Sequence, residues 1–223
     1  GGGVKYINAI INKKLFKYQK KTFVKKILRE NNKIIILLKN NQKYTFDKVV
    51  IATHADQALN LLDNPSEEES EILSKFKYSK NLAYLHSDAR LMPKFKQVWS
   101  SWNFLGNTIF DKSFSLTYWM NSLQKIKNKK NFFVSINPLN LPDNYYDETV
   151  FEHPIYNMET LNAQKEIYKI QGNMNTWFCG SYCGYGFHED GIQSAVYISD
   201  LLNGHVPWKR SKKYLNRLQF LKQ

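Results

Sequence analysis

Hydrophobic residues at Val4, Ile7, Ile10, Ile11 and Leu15 recur at the spacing of one helix face, so the chain is expected to open on a helix behind Gly1, Gly2 and Gly3. At Thr22 the period shortens. Runs rich in Val, Ile, Leu and Phe predict strands at Phe23 to Leu28, Lys33 to Leu38 and Tyr44 to Phe46, with turns at Asn31-Asn32 and Asn40-Asn41. Lys48 to Ala52 reads as a buried strand. A helix follows and stops at Asn64-Pro65; Ser66 and Glu69 then have the spacing of a capping box that starts another, with Ile72, Leu73 and Phe76 turned inward. Next come the strand-like runs NLAYLHSD, QVWSSWNF, SFSLTYWMN, NFFVSIN and FEHPIY. Pro93, Gly106-Asn107, the basic turn Lys125 to Lys130 and the loop Pro138 to Asp143 separate them, which argues for an antiparallel sheet. Near the end, Trp177, Phe178 and Cys179 form an apolar run broken by Gly180. A loop with Gly184, Gly186 and Gly191 leads to a helix marked by Ile192, Ala195, Val196 and Leu202, with Asp190 as its expected N-cap.

At 223 residues and 43% hydrophobic, the chain can bury a core as one large domain or two connected ones. It begins at Gly1 without an initiator Met and reads as a fragment or a processed chain. No stretch approaches the roughly 20 apolar residues that span a bilayer, and there is no charged-then-apolar leader, so a soluble protein is expected. With only Cys179 and Cys183 for thiols, the expected setting is cytoplasmic. The formal charge of +13 raises a nucleic-acid reading. The lysines are dispersed among Asn and Ile, however, which favours a solvated basic surface, then an anionic membrane surface, and nucleic acid last. The tail PWKRSKKYLNRLQFLKQ mixes Trp208, Leu215, Leu218 and Leu221 with basic residues; it either docks on the body or frays, or lies on an anionic membrane.

A strand that ends in glycine and delivers the chain to a helix N-terminus presents free backbone N–H groups and a partial positive charge, which suits an electron-rich ligand edge. The segment Thr176 to Leu202 has this order. On pattern alone, Thr22 to Thr53 is a β-meander feeding a buried strand.

The run GSYCGYGFHEDGIQSA resembles the C-terminal cofactor motif of FAD-dependent amine oxidoreductases, most closely a bacterial group described as predicted NAD/FAD-binding proteins. FDKVVIATHADQALNLL, YSKNLAYLHSDARLMP, WSSWN and YWMNSLQ also resemble that group, so the likeness covers almost the whole chain. The resemblance implies an α/β (α+β) fold: a partial FAD/NAD(P)-binding, Rossmann-like domain with an inserted antiparallel-sheet substrate domain. The expected division is 1–60 and 166–205 in the FAD-binding domain, 61–165 as the substrate domain and 206–223 as a basic tail. The resemblance further implies that Val24, Ala52, Thr53, Gly180, Ser181, Asp190, Gly191 and Ile192 lie near FAD. Ser181 departs from the acidic residue that many relatives carry after that glycine. No strand–GxGxxG–helix unit is present, so an N-terminal segment of the same protein is the expected partner for the rest of the cofactor.

The implied activity is hydride transfer from an amine or a lipid-linked substrate to flavin. The alternatives are a non-catalytic basic module for anionic lipid or nucleic acid, and an inactive truncated homologue. Candidate catalytic or substrate-lining residues are Trp102, Asn103 and Tyr118, with Trp99, Trp119, Asn121 and Gln124 beside them; such aromatic residues equally fill cores. His86, Asp88, His188 and Glu189 form a second set, suited to proton transfer. Cys183 with His188 would make a thiolate–imidazole pair. No HExxH, paired CxxC or third ligand supports a metal site, and none is expected.

Overall fold

The computed structural model describes residues 3–106, 114–210 and 215–218. Gly1, Gly2, Asn107 and Leu221 lie outside them. The described residues divide into two compact units, one made of Gly1–Tyr18 with Ser79–His153 and the other of Gln19–Tyr78 with Pro154–Gln223.

Helix α1 (Gly3–Asn12) covers Val4, Ile7, Ile10 and Ile11 of the expected face but ends before Leu15, and none of its residues is buried. Strands β1 (Val24–Glu30), β2 (Lys33–Leu38) and β3 (Lys43–Phe46) form an antiparallel meander. Its turns use Asn31, Asn32 and Asn41 at φ of 50°, 59° and 66°, a left-handed conformation that Asn tolerates better than most side chains. The short strand β4 (Val49–Ile51) follows, then helices α2 (Ala55–Leu61) and α3 (Glu67–Leu73). The predicted capping box is present: Ser66 Oγ accepts the Glu69 N–H at 3.1 Å, and the Glu69 carboxylate accepts the Ser66 N–H at 2.8 Å. The same carboxylate receives two guanidinium bonds from Arg29 on β1, at 2.6 and 2.9 Å. Strand and helix are thereby joined through a buried ion pair.

Strands β5 (Lys77–His86), β6 (Trp102–Gly106) and β7 (Phe114–Trp119), the single turn α4 (Met120–Leu123), and strands β8 (Phe133–Ile136) and β9 (Asp147–Ile155) supply a five-stranded sheet in the order β6-β7-β8-β5-β9. The β6–β7, β7–β8 and β5–β8 pairs are antiparallel, as the strand-turn pattern predicts. Period-two alternation gives this sheet two unlike faces. His86, Asn103, Ser115, Thr117, Phe133 and Ser135 are buried, whereas Trp102, Phe104 and Phe114 on the other face are exposed.

Helix α5 (Met158–Glu166), strand β10 (Thr176–Phe178) and helix α6 (His188–Leu201) complete the second unit. Its core gathers Ile27 and Ile34 from the meander, Ile51, Leu73 and Phe76 from the following segment, and Ile167, Ile170 and Phe178 from the return of the chain. Leu218 of the tail is buried in that core, so this part of the tail docks. No helix among the described residues is long and apolar enough to cross a membrane.

Candidate functional site

β4 and β10 pair in parallel, with Thr176 opposite Val49 and Phe178 opposite Ile51, so both strands end at the same level. The Cys179 N–H extends the pairing by donating to Ile51 O at 3.1 Å. Beyond it, Ala52-Thr53 and Gly180-Ser181 leave the strands side by side: a Cβ at Gly180 would lie 3.5 Å from Thr53 O. The carboxyl ends of parallel strands are where ligands bind in open α/β sheets.

Three elements hold this edge from below. Ser194 on α6 accepts the Gly180 N–H at 3.0 Å and sits 2.8 Å from Gly191 O, tying the helix to the end of β10. Gln164 on α5 donates to Tyr182 O at 2.8 Å and Gly184 O at 2.6 Å, holding the turn Ser181–Cys183 from the inside. Tyr182 is buried, meets Phe76 edge to face at 5.1 Å, and lies directly under Gly180. Burial pushes its phenol well above the ordinary tyrosine range, so it stays protonated. Gly186 has φ +87°, and a Cβ there would approach the Tyr156 hydroxyl to 2.6 Å, so the loop requires glycine at that position.

Helix α6 starts at His188, three residues earlier than an Asp190 N-cap allows, which corrects that expectation. Asp190 instead lies in the first turn and reaches back to accept the Phe187 N–H at 2.7 Å. Its carboxylate is fully buried and also takes Arg217 Nε at 2.6 Å and Nη2 at 3.2 Å. The Arg217 guanidinium stacks 5.2 Å from the Tyr185 ring and 5.6 Å from the Phe187 ring. Asp190 therefore organises the helix start and anchors the tail. Replacing Arg217 with Met should cost about 2 kcal/mol, because a buried carboxylate loses its counter-charge while keeping its backbone donor. Denaturant titration measures this, and limited proteolysis should show earlier cleavage around residues 215–218.

The edge itself is open. Ala52 and Ile192 are exposed, while Thr53, Gly180, Ser181 and Gly191 are half-buried. A Cβ at Gly191 would meet only Ser181 N, at 3.7 Å. His54, next to Thr53, stacks on Tyr78 at 4.3 Å, and its buried Nδ1 has no hydrogen-bond partner among the described residues. Of the residues that mark the helical spacing, Ile192 and Ala195 are exposed and Val196 is buried, with Ile198 beside it. Val24 lies at the start of β1 and packs on the core in a different sheet from this edge.

The remaining candidates are placed elsewhere or otherwise engaged. His86 Nδ1 accepts the Asp88 N–H at 3.1 Å, which puts the proton on Nε2, 2.8 Å from Ser135 Oγ. Ser135 Oγ in turn lies 2.7 Å from Thr117 Oγ1. Asp88 is occupied by Arg90 at 2.6 Å and by the Asp143 N–H at 3.0 Å; the Arg90 bonds hold its carboxyl well below the usual range. Both residues thus brace the sheet. His188 and Glu189 are exposed at the start of α6, and Glu189 accepts from Gln193 at 2.8 Å. Cys183 is buried, with its thiol pushed up by desolvation, whereas His188 is exposed at the helix start. Among the described residues there is no group of three or more His, Cys, Asp or Glu that could hold a metal ion.

The aromatic candidates split between the two faces of the five-stranded sheet. Trp102 and Tyr118 pair across β6 and β7 on the open face, with ring centroids 5.3 Å apart. Asn103 points the other way and is buried, bonded to Ser100 N at 3.0 Å and Ser100 O at 2.7 Å. Trp99 and Trp119 meet edge to face at 5.4 Å, and Trp99 also packs on buried Phe133. Asn121 holds the basic turn through Lys130 O and the Phe132 N–H. Only Trp102 and Tyr118 of the paired candidates face outward together.

Burial lowers the His86 pKa below 6.5, with the Asp88 charge partly opposing the shift. The native ring is neutral, and the unfolded chain binds its proton first as the pH falls. The stability that this contributes is present above about pH 6.5 and is lost as the pH drops through the depressed native value. His86→Gln should flatten that part of the slope of the denaturation midpoint against pH.

No family model matches the chain, and no curated protein matches it. Solved structures do. A putative protoporphyrinogen oxidase from Exiguobacterium superposes with a TM-score of 0.60 at 9% identity, covering 89% of this chain and 51% of that one. A fatty acid isomerase from P. acnes gives 0.57 at 13%, covering 89% and 50%. A putrescine oxidase redesigned in its cofactor binding gives 0.54 at 8%, covering 82% and 48%. The chain spans about half the length of each of these structures. At these identities the likeness is one of fold, and the chain has the partial FAD-binding fold with an antiparallel sheet that its resemblance to the FAD-dependent oxidoreductases implies.

Proposed function

We propose that this chain is part of an FAD-dependent oxidoreductase of the amine-oxidase type, acting on an amine or a lipid-linked substrate in the cytoplasm. The observation that carries the reading is the meeting of two parallel strand ends at Thr53 and Gly180, with the start of α6 tied to them by Ser194. Main-chain groups of Ala52, Thr53 and Ser181 would hold the ring system, and Gly180 and Gly191, whose own N–H groups are bonded to Ser194 and Phe187, would let it come close, since a flat ligand can approach backbone wherever no side chain projects. Ile192 would cover an apolar part of it, and the unpartnered His54 Nδ1 is a buried polar atom available beside it. FAD, when bound, supplies the hydride acceptor. The protein's own residues orient and shield: Gln164 and Tyr182 keep the turn from yielding.

An N-terminal dinucleotide-binding segment of the same protein would supply the rest of the cofactor site. A two-stranded parallel sheet is a small remnant of a layer normally covered on both faces, and Val50 on β4 stands exposed. The uncovered apolar side of α1, with Val4, Ile7 and Ile10 exposed, is a second place for that segment to pack. The test is the visible spectrum of the purified full-length protein, followed by anaerobic addition of candidate amines and lipid-linked amphiphiles. A flavin spectrum bleached by one of these classes is expected. A folded, colourless protein that takes up no FAD would overturn the reading.

A further inference from the structure

On the side of the five-stranded sheet opposite the Trp102–Tyr118 face lies a cavity of about 520 Å³. Leu105 and Ser115 are cross-strand partners on β6 and β7 and share this side, whereas Phe104 with Leu116 and Trp102 with Tyr118 share the other. The volume is within the range of small-molecule sites, roughly 300 to 1,000 Å³. Leu91, Met92, Leu139 and Leu141 make its apolar lining.

Two polar features give it a direction. Ser115 is 3% exposed and lines the cavity, yet its Oγ has no hydrogen-bond partner among the described residues. A buried hydroxyl left unpaired is unfavourable, and a bound acceptor would relieve it. Arg90, also in the lining, is already bonded to the Asp88 and Asp143 carboxylates at 2.6 and 2.5 Å. Lys94 is the lining cation with no ion pair among the described residues. An apolar side formed by Leu91, Met92 and Leu105, facing a polar side where Asp143 is already paired with Arg90 while Lys94 and Ser115 are unpaired among the described residues, fits a ligand with a medium-length hydrocarbon body and a single negative charge.

We propose that this cavity binds a medium-chain monocarboxylate, with the carboxylate drawn to Lys94, a hydrogen bond from Ser115 and the chain against Leu105 and its apolar neighbours. The site rests on its own geometry and does not depend on the flavin reading.

Calorimetric titration of the full-length protein with octanoate, with octylamine and octanol as controls, tests it. Octanoate should saturate and octylamine should not. Lys94→Gln should weaken octanoate about fivefold, the loss of one partly exposed charge contact. Ser115→Ala should weaken it by roughly three- to tenfold without lowering stability, because the hydroxyl it removes has no partner to lose. Leu105→Trp, which fills the cavity, should abolish it, with a cooperative unfolding transition showing that the variant is folded. Absence of saturable octanoate binding, equal binding of octylamine, or octanoate binding unchanged in both Leu105→Trp and Lys94→Gln would each overturn the proposal.

Discussion

Gly180→Ala is expected to strip the full-length protein of bound flavin and to destabilise it by about 1–3 kcal/mol, the cost of forcing atoms into a filled site. The backbone there is extended, at φ 160° and ψ 172°, so the dihedral angles would accept alanine. The obstacle is the ring of Tyr182, whose Cε1 and Cδ1 would lie 2.6 and 2.8 Å from the new Cβ. The ring cannot swing aside at little cost, because it is 2% exposed and packed on Phe76. Relief must come from moving the strand end or the turn Ser181–Cys183, which carries the main-chain groups proposed to meet the cofactor. Gly191→Ala separates the two effects: its Cβ meets no protein atom closer than 3.7 Å and alanine favours a helix over glycine by up to about 1 kcal/mol, so the fold should keep its stability, while the new methyl projects where the ligand would approach the backbone and should weaken flavin retention. Flavin absorbance per protein, together with a denaturation midpoint, reads both effects.

Arg29→Met is expected to be the most destabilising substitution in the second unit, at about 3–5 kcal/mol, the usual cost of leaving one member of a buried pair uncompensated. The side chains of Arg29 and Glu69 are 5% and 0% exposed. Glu69 cannot retreat to solvent, because it also closes the capping box with the Ser66 N–H. The double variant with Glu69→Gln should recover much of the loss, since an amide oxygen still accepts that N–H and no charge is left buried. A double-mutant cycle by denaturant titration measures the coupling. Simple additivity of the two single effects would contradict this view of the pair.

Features written in nearby residues were legible in advance. The Ser66–Glu69 box depends on a spacing of three, and the Asn turns of the meander on residues that accept a left-handed backbone. The five strand-like runs gave the antiparallel sheet for the same reason. Bonds that join distant residues left no local mark. His86 reads as a proton-transfer candidate until Ser135 is found across the sheet, and Asp88 until Arg90 and the Asp143 N–H enclose it. Asp190 looked like a cap for Ile192 because an Asp before an apolar period is the ordinary signal; the helix begins earlier, and Arg217, far along the chain, claims the carboxylate. Ile192 and Ala195 share the apolar period of α6 and stand exposed, because periodicity shows that a face is apolar and not which layer covers it. Tyr182, Gln164 and Ser194, which fix the strand end, carried no signal beyond their closeness to the glycines, apart from Gln164, which had none.

Amide hydrogen exchange on the full-length protein, with FAD bound and after its removal, is the most direct examination of the central claim. Slower exchange with FAD is predicted at Ala52, Thr53 and Ser181 and through the first turn of α6 up to Ile192, with the β1–β3 turns unchanged. Exchange at those positions that is indifferent to FAD, while protection appears elsewhere in the chain, would contradict the assignment of the β4 and β10 ends as the flavin site.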